Sequence, residues 1–179
     1  MLHGLGRPNP SLFLPLKGLY ALGALTNNPY PQTLIHEPWG RNLMADNNAY
    51  RVKTDPDPYE PFKIALAYRS GNHVYVSGQA AIDQEGNLVG VGDFDAQAEQ
   101  VFANLKRVLE AGGSAMERII KVNIYLTDMS NFTKIVDLRE KHFTKPYPAD
   151  TIVEVTGLAL PELMIEIEAI GLVEGEIID

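Results

Sequence analysis

The chain has 179 residues, 45% of them hydrophobic, which is enough apolar material for one compact domain with a core. Its formal net charge is -8, from 15 basic and 23 acidic side chains, so we expect no nucleic-acid partner unless the basic residues cluster. Cysteine is absent, which excludes disulfides, thiolate metal sites and a cysteine nucleophile, and fits a reducing compartment such as the cytoplasm. No run of eighteen apolar residues occurs, so we expect no membrane partner either.

Proline is concentrated at the start of the chain, where nine of the twelve prolines precede residue 62. Each proline removes a backbone donor and interrupts a helix. We therefore predict that residues 1–49 form an irregular N-terminal extension and that residues 50–179 form a single domain. Three interpretations of residues 1–43 stay open: a targeting segment, an extension docked on the domain, or an over-long start with Met44 as the working start.

Two strands and a helix are predicted at the beginning of the domain. Apolar patterning indicates strands over residues 64–69 and 73–77, and a glycine between them indicates a tight turn. The helix that follows has Asp93 or Asp95 as its N-cap and an apolar face that ends at Leu109. A pair of glycines then stops it.

The second half of the domain adds three strands and a helix. Alternation of apolar residues predicts strands over 120–126, 151–156 and 164–173, and helical spacing predicts a helix over 132–143 with Ser130 as its cap. Each helix has one apolar face, so we expect an α+β fold with two layers, a mixed β-sheet with two helices packed on one face. The other sheet face is then uncovered, and self-association is the simplest way to cover it.

Five blocks between residues 60 and 173 carry a resemblance to a known family. They are VYVSGQ at 74–79, GNLVG at 86–90, the helix at 97–112, KVNIYLTDM at 121–129 and IEIEAI at 165–170. Together they resemble the Rid family of YjgF-like imine and enamine deaminases, also labelled endoribonuclease L-PSP. The resemblance implies a chorismate-mutase-like subunit and a homotrimer with small-molecule clefts at the subunit interfaces. It implies no metal and no organic cofactor, and the four histidines have no ligand-like spacing.

The resemblance also implies a reaction, the hydrolysis of 2-imino or 2-enamino acids to 2-keto acids and ammonia. Glu166 matches the family glutamate that handles a proton or a water and is the candidate catalytic residue. Ser77 matches a serine of the family's Ser-Gly-Gln block and is a candidate substrate-binding residue. Phe62 or Tyr59 matches an aromatic residue near the first strand. An asparagine of the second helix falls on Val136.

Asp150 stands where the resemblance implies a carboxylate-binding arginine, in Pro148-Ala-Asp150 instead of Pro-Ala-Arg. One interpretation is a cleft of inverted charge that repels a 2-imino acid; the other is a solvated loop aspartate. If Asp150 and Glu166 face one cleft, they resist joint ionisation. In the first case, Asp150→Arg is expected to restore activity toward 2-iminopropanoate.

These features favour a Rid-like hydrolase that acts on an imine, an enamine or a related C–N compound other than a simple 2-imino acid. The alternative is a non-catalytic ligand-binding or regulatory trimer that has kept the fold. Whether the protein is an enzyme stays open at the level of sequence.

Overall fold

The computed structural model describes residues 48–179, which form one six-stranded mixed sheet and two α-helices. The strands are β1 Ala49–Val52, β2 Ala67–Ser70, β3 His73–Ala80, β4 Ile119–Leu126, β5 Ala149–Glu154 and β6 Ile165–Leu172; the helices are α1 Phe94–Ala111 and α2 Phe132–His142. The strand order is β1-β2-β3-β6-β4-β5, with β4 and β5 parallel and the other neighbours antiparallel. The predicted α+β class is confirmed, whereas the predicted extension lies, up to residue 47, outside the described residues.

The helix caps show one correct prediction and one error. The carboxylate of Asp93 accepts hydrogen bonds from the backbone N–H groups of Asp95 and Ala96, both at 3.1 Å, and so begins α1 as predicted. Ser130 does not cap α2, because it lies inside a 3-10 turn, Met129–Asn131, whose first N–H groups include its own, bound to Asp128 at 2.8 Å. Asn131 precedes α2 without a side-chain cap.

The core lies between the helices and one sheet face, and β6 follows the predicted alternation there. Ile165, Ile167 and Ala169 are buried, whereas the residues between them are half-buried. In β4 the buried residue near the start is Ile119 instead of the predicted Ile120, because the pairing of β4 with β6 shifts register just after Ile119. Such a bulge moves one residue off the face that simple alternation gives it.

The opposite sheet face carries large exposed side chains. Tyr68 and Tyr75 are 46% and 47% exposed, and they are directly paired across β2 and β3. Among the described residues, no helix is long and apolar enough to cross a membrane. One face of the sheet is therefore packed against helices, and the other is open in the single chain.

Candidate active site

Glu166 lies at the bottom of a cavity of about 270 Å³ beside β3 and β6. The cavity is bounded by the segment before β2, by the start of β6 and by the loop that precedes β6. Its lining is mostly apolar: Tyr59, Phe62, Ile64, Ser77, Gly78, Ala80, Ile82, Ala159, Leu160, Leu163 and Glu166. A single carboxyl group is thus placed in an apolar cavity of small-molecule size.

The environment of Glu166 favours its protonated form. Burial raises the pKa of Glu166, and the nearby charge of Glu168 raises it further. Among residues 48–179, no side chain or backbone group donates a hydrogen bond to the Glu166 carboxyl. A carboxyl group with a raised pKa and a free acid proton is suited to act as a general acid.

Gly78 makes room for the Glu166 carboxyl. A Cβ atom at position 78 would lie 2.0 Å from Oε1 of Glu166, far inside van der Waals contact. Glycine is therefore required at this point of the Ser-Gly-Gln block for a steric reason, because the Glu166 carboxyl closely approaches the backbone of β3.

The predicted substrate-binding residues Ser77 and Phe62 both line the cavity, as does Tyr59. The Ser77 hydroxyl donates to the carbonyl of Ala65 at 2.7 Å, so its oxygen faces the cavity region as an acceptor only. Phe62 is 60% exposed at the rim, whereas Tyr59 is 7% exposed and its hydroxyl accepts a hydrogen bond from the N–H of Ala80 at 3.0 Å. Burial raises the pKa of Tyr59, so its phenol stays neutral beside Glu166.

Two buried amides of α1 hold the cavity walls in place, a role that sequence patterning does not reveal. Asn104 donates to the carbonyls of Ala80 and Ile82, at 2.9 and 2.7 Å. Gln97 accepts from the N–H of Met164 at 2.8 Å and donates to the carbonyl of Glu162 at 2.7 Å. The polar residues that interrupt the apolar face of α1 therefore satisfy backbone groups of the two chain segments around Glu166.

Asp150 and Glu166 do not share a cleft within one chain. Asp150 is paired in register with Val122, which is buried under the helices, whereas Glu166 is paired with Tyr125 on the open face. Paired residues of neighbouring strands point to the same face of a sheet. The two carboxylates thus lie on opposite faces, and a cleft that contains both requires two copies of the chain.

Asp150 is also neither in a loop nor unpartnered. It lies in β5, and its Oδ2 accepts a hydrogen bond from Nε of Arg139 on α2 at 2.7 Å, with side-chain exposures of 18% and 25%. Asp150 therefore lies in a strand instead of the predicted loop, although the residue is exposed, and its charge is paired with a guanidinium that sequence reasoning missed. The pair lies in a groove of about 550 Å³ that is also lined by Val136 and Tyr147.

Metal ligands are not gathered in this part of the molecule. Among residues 48–179, no group of three or more histidine, aspartate or glutamate side chains is placed to hold a metal ion. The chemistry available from the described residues is that of a carboxyl group with a raised pKa, a buried phenol and an ion pair.

The fold and the position of the buried acid define a chorismate-mutase-like subunit with its candidate site beside β3 and β6. The Endoribonuclease L-PSP family model matches residues 52–173, so the chain belongs to this family, also known as the Rid or YjgF family. The solved structure of RidA from the Antarctic bacterium Psychrobacter sp. superposes with a TM-score of 0.63 at 36% identity, covering 69% of this chain and 98% of that one. Yeast Mmf1 superposes with a TM-score of 0.66 at 34% identity, covering 71% and 100%.

Curated relatives give the same family. A 2-iminobutanoate/2-iminopropanoate deaminase of the mite Dermatophagoides farinae is 35% identical over 119 residues, covering 66% of this chain and 91% of that protein. A RutC family protein of Pyrococcus horikoshii is 37% identical over 116 residues, covering 65% and 90%. The match thus spans nearly the whole length of each relative and leaves about a third of this chain outside it.

Proposed function

We propose that this protein is a Rid-like hydrolase that cleaves the C–N bond of a small imine, enamine or related compound, with Glu166 as the proton donor. The observation that carries the proposal is the Glu166 carboxyl, which lies in an apolar cavity, has a raised pKa and receives no hydrogen bond from residues 48–179. Hydrolysis of an imine needs such a group, because protonation of the nitrogen makes the carbon electrophilic.

The proposed reaction consumes one water and releases a carbonyl compound and ammonia. Glu166 donates its proton to the imine nitrogen, and the resulting carboxylate then accepts a proton from the water that attacks the carbon. The C–N bond of the tetrahedral carbinolamine breaks after that proton is passed to the amine, and the hydroxyl proton returns to Glu166 as the carbonyl forms. The raised pKa of Glu166 keeps the initial acid available to a higher pH than an ordinary glutamate would.

The charge at position 150 supports a substrate other than a simple 2-imino acid. Asp150 supplies a carboxylate where the resemblance to the family implies an arginine, and the guanidinium of Arg139 is already engaged by that carboxylate at 2.7 Å. Glu140 adds a second carboxylate to the same groove. A ligand carboxylate would therefore meet little net positive charge, so a neutral substrate with a small apolar group is favoured.

A homotrimer is the proposed assembly, with small-molecule clefts between neighbouring subunits. The exposed Tyr68 and Tyr75 on the open sheet face support self-association, because a face of this kind is rarely left uncovered. The placement of Asp150 and Glu166 on opposite faces supports a cleft built from two chains. Light scattering is expected to give a molar mass three times that of a single chain. The mass of a single chain at micromolar concentration would contradict the trimer.

We propose neither an RNA substrate nor a membrane location for this protein. Ribonuclease activity is not proposed despite the family name, because the net charge of -8 and the acidic residues near the cavity oppose an RNA backbone. A cytoplasmic location stays a prediction; the curated relatives include yeast Mmf1, described as mitochondrial.

A non-catalytic ligand-binding trimer is the second candidate function. It is favoured by one observation, the Arg139–Asp150 ion pair, which occupies the guanidinium that could otherwise bind a substrate carboxylate. The two functions differ in turnover: the hydrolase releases ammonia, whereas the binding protein takes up the same ligand unchanged.

The deciding experiment is a panel of imines with ammonia release as the readout. Amino-acid and amine oxidases generate 2-imino acids and neutral imines in situ, and catalase removes the peroxide. We expect the protein to hydrolyse neutral imines faster than 2-imino acids. Glu166→Gln is expected to lower the rate of ammonia release by about 100-fold or more, an order typical of general acid catalysis. The exposed control Glu117→Gln is expected to leave that rate unchanged. Binding without turnover across the panel would favour the second candidate, and full activity in Glu166→Gln would refute the role of Glu166.

A further inference from the structure

A hydrogen-bonded network on the open sheet face holds Glu168, two residues from Glu166 on β6. Oε1 of Glu168 accepts hydrogen bonds from Nδ2 of Asn123 and from the hydroxyl of Tyr125, the latter at 3.1 Å. Nζ of Lys121 donates to Oδ1 of Asn123 at 2.6 Å and so fixes which way the amide faces. Since the amide oxygen is engaged by the ammonium group, the amide N–H₂ points to Glu168.

Glu166 and Glu168 therefore share a face but have opposite environments. Glu168 is held by two donors that suit a carboxylate, whereas Glu166 lies in the apolar cavity and receives none from the described residues. Hydrogen-bond donors favour the charged form of a carboxyl group, whereas an apolar cavity favours the neutral form. The network thus distinguishes the surroundings of the two glutamates by geometry alone.

The charged and titratable groups around Glu166 come from three elements. Glu168 lies on β6, Tyr125 on β4 with Lys121 beyond Asn123, and Tyr59 in the segment before β2. Burial is the main cause that raises the pKa of both tyrosines, so each remains a neutral phenol. Glu168 is consequently the anion that acts on Glu166 most directly.

We propose that Glu168 is a positioning residue for Glu166: its carboxylate, fixed by Asn123 and Tyr125, is a stationary negative charge that keeps Glu166 in the proton-donating form. The role of Glu166 as an acid rests on the proposed function. The position of Glu168, in contrast, is independent of any substrate. Glu168 acts through Glu166 and contacts no reacting atom.

The test is a titration of the Glu166 carboxyl by carbon NMR in the full-length protein without substrate. Glu168→Gln keeps the shape and can still accept from Asn123 and Tyr125, but it removes the charge; we expect the Glu166 midpoint to fall. Glu168→Asp keeps the charge, but its shorter side chain moves the carboxylate away from Asn123 and Tyr125. We therefore expect a smaller fall in the Glu166 midpoint than with Glu168→Gln. The exposed Glu117→Gln, which removes an equal charge elsewhere, is expected to leave the midpoint unchanged.

The outcomes separate this inference from the proposed function. A Glu166 midpoint that is the same in the parent protein, Glu168→Gln and Glu168→Asp overturns it, whatever the protein hydrolyses. If Glu168→Gln does not fold, Glu168→Asp decides by itself: a lower midpoint supports the inference and an unchanged one overturns it. A protein that releases no ammonia from any imine would refute the hydrolase while leaving the titration result intact. If ammonia is released, the alkaline limb of the pH–rate profile, where Glu166 loses its proton, should move in the same direction as the midpoint.

Discussion

The Arg139–Asp150 ion pair changes what a substitution at position 150 is expected to do. Sequence alone predicts that Asp150→Arg restores hydrolysis of 2-iminopropanoate. In the structure, however, the new arginine would face Arg139, whose Nε lies 2.7 Å from Oδ2 of Asp150. We therefore predict that Asp150→Arg alone is destabilised and inactive, and that Arg139→Gln combined with Asp150→Arg gains the activity.

The size of the effect follows from the geometry of the pair. Two unit charges about 4 Å apart at an effective dielectric of about 20 interact by roughly 4 kcal/mol, so attraction replaced by repulsion amounts to at most about 8 kcal/mol. Solvent screens much of this, because the Arg139 and Asp150 side chains keep 25% and 18% exposure. We expect Asp150→Arg to lower the free energy of unfolding by about 2–3 kcal/mol, which lies between the values for breaking an exposed and a buried ion pair. At about 2–4 °C per kcal/mol for a chain of this size, the unfolding midpoint falls by roughly 4–12 °C.

The assay combines ammonia release from 2-iminopropanoate, made in situ by an amino-acid oxidase, with thermal unfolding of each variant. Arg139→Gln alone is the control without a new arginine. A reversed pair, Arg139→Asp with Asp150→Arg, is the control for charge: it should recover stability yet stay inactive, because a carboxylate again neutralises the guanidinium. Robust activity in the unmodified protein would refute the reasoning, as would Asp150→Arg being as stable and as active as the double variant.

Three other predictions concern the cavity. Gly78→Ala is expected to abolish C–N hydrolysis in a folded protein, because the new Cβ would lie 2.0 Å from Oε1 of Glu166 and displace it; circular dichroism checks the fold, and retained activity would contradict the site. Asn104→Leu is expected to lower the free energy of unfolding by about 2–4 kcal/mol in urea, since the carbonyls of Ala80 and Ile82 lose their donor, and a loss below about 1 kcal/mol would contradict this. Burial raises the pKa of Glu166, so the folded protein keeps a proton that the unfolded chain releases, and stability falls as pH rises through the folded pKa. Glu166→Gln removes this loss, so its unfolding midpoint should gain on that of the parent protein as pH rises above about 4.3, the ordinary pKa of a glutamate. A difference that stays constant with pH would show that the pKa of Glu166 is not raised.

Local patterns in the sequence were enough to predict most of the elements. The alternation of Ile165 and Ile167 with Glu166 places the acid on the face opposite the core, because side chains of a strand alternate between faces. The cap at Asp93 is equally local, since it depends on backbone groups two and three residues away. The four-residue β1 was missed because it is short and has a single buried residue, Val52.

Contacts between distant residues were decided by the tertiary structure alone. The partner of Asp150 is Arg139, eleven residues earlier on another element, and nothing in the spacing distinguishes it from the other basic residues of α2. The opposite facing of Asp150 and Glu166 depends on the register of β5 on β4 and of β4 on β6.

The sequence by itself determined the layers, the family resemblance and the identity of the candidate acid, because these depend on periodicity and on contiguous blocks. Only the tertiary structure decided that Glu166 stands without a donor among residues 48–179 while Glu168 is held by Asn123 and Tyr125. The two glutamates occupy equivalent places in one alternating pattern, and the chain gives them the same residue type on the same face. Their difference arises from the neighbouring strands, where one meets an apolar cavity and the other meets an amide and a phenol. Proton affinity depends on that surrounding charge and burial, which a one-dimensional pattern does not contain.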